Sequence, residues 1–404
     1  MEYCAFCQGE LDTTTRLCRA CGRLQTAEPA SAPVDPPSST PPAQTRQVAR
    51  VANKAAARSP GSNFLDTVAG KIVAVVIAVV VVATGAIATA VVLHQTISSA
   101  RSGGARPIPH LSKPAGNIIE FPLPTGSAPA SITAGPDGAL WFTDHLHNQV
   151  GRISLSGQIT EFPSDGGPED ITVGPDHNLW FTELDTGKIG RVTPRGQITE
   201  FSLPAADSQP GSIIGGPDGA LWFTEENSNR IGRITPEGQI SEFPFPTADI
   251  PLDDVTAGRD GNLWFTEVRV DRIGRITLKG QVTEFPLPTD SAPAHITVGR
   301  DGNLWFTEIR GNRIGRITPE GQITEFSPPT TGSRPIDIAA GPDGNLWFTE
   351  YGTSKIGRVT PSGQITEFPL LAAVGQPIYI AAGPDGALWF TTGAGGIGRI
   401  TSGR

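Results

Sequence analysis

The chain has 404 residues and a formal net charge of −9, with 48 Gly and 37 Pro. The acidity is concentrated: residues 114–404 hold 34 Asp or Glu against 20 Lys or Arg, which repels phosphate backbones and excludes nucleic acid as a partner for that part. No Gly-X-Y period accompanies the glycines, so a collagen-like rod is excluded and the Gly and Pro residues point to turns and linkers.

In chain order, the first element is residues 1–25, which hold all four cysteines as Cys4-x-x-Cys7 and Cys18-x-x-Cys21. Two thiolates in one tight turn can reach a single ion, and two such pairs complete a tetrahedron around Zn²⁺. The spacing predicts a small zinc ribbon; two disulfides in an exported segment are the alternative. An all-cysteine set is closed, so the expected role is structural, stabilising the tail or docking a cytosolic protein partner. Residues 26–70, rich in Pro, Ala and Ser, read as a linker.

Next comes an uncharged run from Ile72 to Leu93, rich in Val, Ile and Ala. As a helix it would be about 33 Å long, enough to cross a bilayer core. It begins too far from the N-terminus for a cleavable signal, so residues 71–94 are expected to form a single-pass transmembrane helix. Basic residues tie close to its two ends; Arg46 and Arg50, slightly further out, tip the N-terminal side towards the cytosol. The cysteines agree, since thiolate ligands persist in a reducing compartment. Residues 95–116 read as a stalk.

From residue 117 onwards the chain repeats. The seven tryptophans, Trp141, Trp180, Trp222, Trp264, Trp305, Trp347 and Trp389, are spaced by 39, 42, 42, 41, 42 and 42 residues. Each stands in a Leu-Trp-Phe-Thr unit after a turn such as Gly135-Pro136-Asp137-Gly138. Ile/Val-Gly-Arg follows, then a Gly-containing turn, then a segment such as Gln322-Ile323-Thr324-Glu325-Phe326. Short β-branched and aromatic segments bounded by turns are strands, and four strands per repeat of this length is a propeller blade. Pro and Gly recur too often for a helical repeat. The fold class is therefore all-β, a seven-bladed β-propeller over 117–404. The last repeat lacks its final strand, and an orphan one, Asn117 to Phe121, precedes the first. The orphan is expected to complete blade seven and close the ring.

Gly-Pro-Asp-Gly-x-Leu-Trp-Phe-Thr-Glu followed by Ile-Gly-Arg-Ile-Thr resembles the streptogramin B lyase (virginiamycin B lyase) family of seven-bladed propellers. The resemblance runs over all of 117–404. It implies opening of a cyclic peptide antibiotic at its ester bond by elimination, with a His general base, acidic partners and Mg²⁺. The residues at the matching positions differ. Where the family carries His after a Pro in blades six and seven, this chain has Ile336 and Ile378. Its acids fall at Gln376 and near Thr392-Gly393, and its Tyr in blade one falls at Ala130. Ile and Ala take up no proton, so the resemblance carries the fold further than the chemistry.

Candidate ligand residues are the chemically varied ones on the face where inter-blade loops converge near the axis, Glu169, Asp170, Asp253, Asp254, His295, Asp337 and Tyr379, with His145 and His147 in the loop after Trp141. Together they suit a cation, a sugar or a basic peptide. The acids after Trp-Phe-Thr, such as Glu183 and Glu267, precede Lys188 and Arg272 by five residues, which predicts a cross-strand ion pair in each hairpin. The expected function is a membrane-anchored, extracytoplasmic binding module for a small molecule, glycan or peptide. A lyase-like enzyme using Mg²⁺ and a structural envelope scaffold are the alternatives.

Overall fold

The computed structural model describes residues 115–205, 208–227, 230–245, 252–371 and 374–403. The predicted zinc ribbon with Cys4, Cys7, Cys18 and Cys21, the linker, the span over 72–93 and nearly all of the stalk lie outside the described residues. Among the described residues, no helix is long and apolar enough to cross a membrane.

The repeat folds as seven four-stranded antiparallel sheets. The first blade uses Pro129–Ala134, Leu140–Asp144, Gln149–Ile153 and Ile159–Pro163, from the axis outwards. Blade seven takes Pro377–Ala382, Ala387–Thr392 and Gly396–Thr401 from the C-terminus, and its outermost strand, Ile118–Pro122, from the start of the domain. Ile118 pairs with Ile400 and Phe121 with Ile397. The orphan strand therefore closes the ring and leaves no open inter-blade edge.

The core lies in the wedges between blades. Every residue of the Leu-Trp-Phe-Thr-Glu strand is buried. The Trp of one blade packs on the Leu and Phe of the next: Trp180 meets Leu221 and Phe223, and Trp389 meets Leu140 and Phe142 across the seam. The glycine of Ile-Gly-Arg makes room for that Phe. A Cβ on Gly151 would lie 2.1 Å from the Phe142 ring. The arginine beside it lies over the Trp ring, as Arg316 does over Trp305 at 5.5 Å, a cation–π arrangement. The turn Asp accepts the indole N–H, at 3.1 Å from Trp141 to Asp137.

A ring of threonines joins the blades near the axis. In each blade the Thr of Trp-Phe-Thr accepts an N–H from its own inner strand, and its hydroxyl donates to a carbonyl of the next blade. Thr143 accepts from Ser131 at 3.0 Å and donates to Glu169 at 2.7 Å. Thr391 closes the circle by donating to Ala130 at 2.9 Å.

The predicted hairpin ion pair is corrected. Glu183 and Lys188 do face each other in register, but the cation reaches outwards instead. Lys188, Arg230, Arg272 and Lys355 pair at 2.6–2.7 Å with Glu200, Glu242, Glu284 and Glu367 of the outermost strand. Only Arg313, among the described residues, also reaches its hairpin acid, Glu308, at 2.9 Å. The cause is burial. The hairpin acids are almost wholly buried, where charge is costly, whereas the outer pairs keep contact with water. Burial pushes Glu183 and Glu267 up to about 7, with Glu200 and Glu284 adding like-charge repulsion.

Candidate functional site

Each inner strand opens with Pro-x-X-Ile, Leu252-Asp253-Asp254-Val255 replacing it in blade four. In the other six blades the pairing shifts by one residue between the Pro and the Ile, as between Pro168 and Ile171. Such a bulge re-aims side chains. Here it presents the X residues to a cavity of about 190 Å³ that they line: Ser131, Asp170, Ser212, Asp254, His295, Asp337 and Tyr379, with Glu169.

Three carboxylates staple neighbouring blades. Asp170, Asp254 and Asp337 accept N–H bonds from Ile213, Ile296 and Ile380 of the following blade at 2.6–2.8 Å. The Ser212 hydroxyl donates to Asp254 at 2.6 Å. His295 stands between two of these acids, its Nδ1 3.5 Å from both Asp254 and Asp337, and its ring meets Tyr379 edge-on at 5.1 Å. Burial disfavours the imidazolium, yet Asp337 and Asp254 outweigh it and push His295 up to about 9. At neutral pH it is therefore a cation and a hydrogen-bond donor. Asp254 gains from the same contact: burial opposes its charge, but His295 and the Ser212 hydroxyl hold it below the usual carboxylate range. Asp170 has no such cation, and burial pushes it up to about 6.

A second cluster lies between blades one and two. His145 is buried, with Nδ1 3.3 Å from Glu169 and Nε2 3.8 Å from Asp185. Burial lowers its basicity, but Glu169 and Asp185 outweigh that and hold it above the usual value. His147 bonds Asp144 at 2.9 Å and is partly exposed. The sequence-derived candidates thus divide. Glu169, Asp170, Asp254, His295, Asp337 and Tyr379 line the axial cavity; His145 and His147 form a rim cluster; Asp253 is buried at the start of its inner strand. Sequence reasoning missed Ser131, Ser212 and Asp185. The two serines were legible in principle, since they occupy the repeat position that holds the chosen acids.

The lyase-matching positions offer no imidazole and no carboxylate. Ile336 and Ile378 are buried, as is Ala130; Gln376 is exposed. The Thr392 hydroxyl donates to the Gly396 carbonyl at 3.3 Å. Mg²⁺ requires oxygen ligands, usually carboxylates, so these residues do not fit the ion. Among the described residues, no group of three His, Cys, Asp or Glu is disposed to hold a metal.

Fold and site together define a seven-bladed propeller with a polar axial cavity ringed by chemically distinct inner-strand residues. The virginiamycin B lyase family model matches residues 105–295 and 255–404, and the chain belongs to that family. Virginiamycin B lyase from Staphylococcus aureus is 44% identical with a TM-score of 0.67, the match covering 70% of this chain and 99% of that one. A streptogramin B lyase structure is 41% identical, TM-score 0.68, over 70% of this chain and 97% of that one. A catalytically inactive His-to-Ala variant of the S. aureus enzyme, solved with quinupristin, gives 44% identity and a TM-score of 0.67 over 70% and 99% of the two chains.

Proposed function

We propose that this propeller is a binding module built on the lyase scaffold, held outside a membrane by the 71–94 helix, with the zinc ribbon of residues 1–25 on the cytosolic side. One observation carries the reading: buried Ile336 and Ile378 occupy the positions where the resemblance implies catalytic histidines. His295, the histidine on the cavity, stands between two carboxylates that push it up to about 9, so it keeps its proton at neutral pH and does not serve as a general base. His295 and Tyr379 instead offer donors and an aromatic face to a small polar ligand, glycan or peptide, over carboxylates already engaged in stapling blades.

The test incubates the full-length chain with a streptogramin B and Mg²⁺ and follows ring opening by mass spectrometry. No product above background is expected. Turnover that His295→Gln or His145→Gln abolishes would overturn the reading in favour of a rearranged lyase. In parallel, retention on glycan and peptide arrays is expected to depend on His295.

A further inference from the structure

In five blades one basic side chain performs the same task. Lys188, Arg230, Arg272, Arg313 and Lys355 open the third strand and pair with the Glu of the outermost strand. Blade one has the neutral Gln149 there, on the strand beside the one that carries Glu161. Blade seven has Gly396, opposite the strand that carries Glu120. The missing side chain leaves a cavity of about 280 Å³, lined among others by Glu120, Phe121, Val374, Thr392, Gly396 and Ile397. Although its backbone stands in the ladder opposite Gly398, no side-chain hydrogen bond or ion pair among the described residues joins the Glu120 carboxylate. It is also the exposed one of the seven equivalent glutamates. The blade wall beside it raises its pKa by desolvation, with no cation to oppose the effect.

The cavity lies where five sister blades place an alkyl stem with a cationic head. Phe121, Val374 and Ile397 offer apolar wall for a stem, and Glu120 offers the counter-charge, as for any snorkelling Lys or Arg. We propose that the blade-seven cavity binds an alkyl-guanidinium or alkyl-ammonium group, the side chain of an arginine or lysine in a partner peptide, with Glu120 as its counter-ion. The site lies at the outer part of blade seven, apart from the axial cavity, and stands or falls independently of the reading of that cavity.

Gly396 supplies the decisive variant. A Cβ there would meet only Thr392 Oγ1 at 3.4 Å and the Phe121 carbonyl at 3.6 Å, which is ordinary contact. Gly396→Arg therefore restores the sister-blade arrangement and fills the site with its own cation. The experiment is saturation-transfer NMR on the full-length chain with acetyl-arginine amide, acetyl-lysine amide and the neutral acetyl-citrulline amide. The two cationic probes are expected to saturate with wild type. Both Glu120→Gln and Gly396→Arg are expected to weaken the signal by roughly two- to fivefold, the scale of one exposed ion pair; Glu161→Gln leaves it unchanged. Equal saturation by the citrulline probe, or undiminished binding in folded Glu120→Gln and Gly396→Arg, overturns the site. A Gly-Arg-Gly peptide is expected to bind at least as well as n-butylguanidinium; exclusion of the peptide while the small cation binds overturns the peptide assignment. Melting curves of each variant report whether it is folded, and Gly396→Arg is expected to melt no lower than wild type.

Discussion

Glu267 ends the Leu-Trp-Phe-Thr-Glu strand of blade four, is 1% exposed, and has a side-chain oxygen, Oε2, without a hydrogen-bond partner. Burial first, and then the Glu284 charge, push it up to about 7 from an ordinary 4.5, against the pull of Arg272. The native state therefore binds a proton that the unfolded chain has released, throughout the window between those values. Stability from this group is fully present below pH 4.5 and falls as pH rises towards 7, after which the whole penalty applies. At about 1.4 kcal/mol per pKa unit the penalty is at most about 3.5 kcal/mol. Glu267→Gln keeps the shape and abolishes the titration. The variant is expected to match or slightly trail wild type at pH 4 and to exceed it at pH 8.5, by up to roughly 5–10 °C in Tm for a domain of this size. Thermal unfolding followed by tryptophan fluorescence across pH 4–9 reads this directly. Parallel pH curves for the two proteins would show that Glu267 titrates in the fold as it does in the unfolded chain, refuting the argument.

The threonine ring predicts a different kind of loss. Thr307→Val keeps the volume but orphans the His295 N–H and the Ile336 carbonyl, costing roughly 2–4 kcal/mol in chemical denaturation; a cost below a few tenths would mean the ring is incidental. His295 titrates in the opposite sense to Glu267. Its pKa is raised, so its contribution is complete below pH 6.5 and lost as pH climbs through about 9. His295→Gln should flatten wild-type stability between those values, and an imidazole shift titrating near 6.5 by NMR would contradict it. At the seam, Trp389 stacks on Phe121 at 5.2 Å, and Phe121→Ala should lower Tm and make the 115–122 segment more sensitive to limited proteolysis than the same change at Phe201 does for its own strand; equal sensitivity would argue against a special seam.

Much of the fold was legible because the sequence writes it seven times. A Trp, a Gly and an Arg at fixed offsets encode a wedge, a gap for the neighbouring Phe and a lid over the indole. The orphan Asn117–Phe121 segment encodes the closure that the structure shows between Ile118–Pro122 and Gly396–Thr401. What the spacing could not encode was side-chain reach. Glu183 and Lys188 are opposite in register, yet the lysine turns to Glu200 at 2.7 Å, because a buried carboxyl near neutrality attracts less than an ionised one at the rim. The bulge was equally silent. Glu169 and Asp170 are adjacent in sequence, but Glu169 turns to His145 while Asp170 bonds Ile213 of the next blade.

Departure from the repeat alone does not make a site. Asp170, Asp254 and Asp337 break the symmetry as plainly as His295 does, yet each is bonded to the amide of the following blade and works as architecture. Glu120 obeys the symmetry completely, and its partner is what departs. In a repeat protein the side chains available to a ligand are those whose internal partner is missing, and only the three-dimensional pairing reveals which these are. By that criterion the unpaired Glu120 carboxylate, beside the cavity where its sister blades place a cation, is a binding feature that variation in the repeat does not flag by itself.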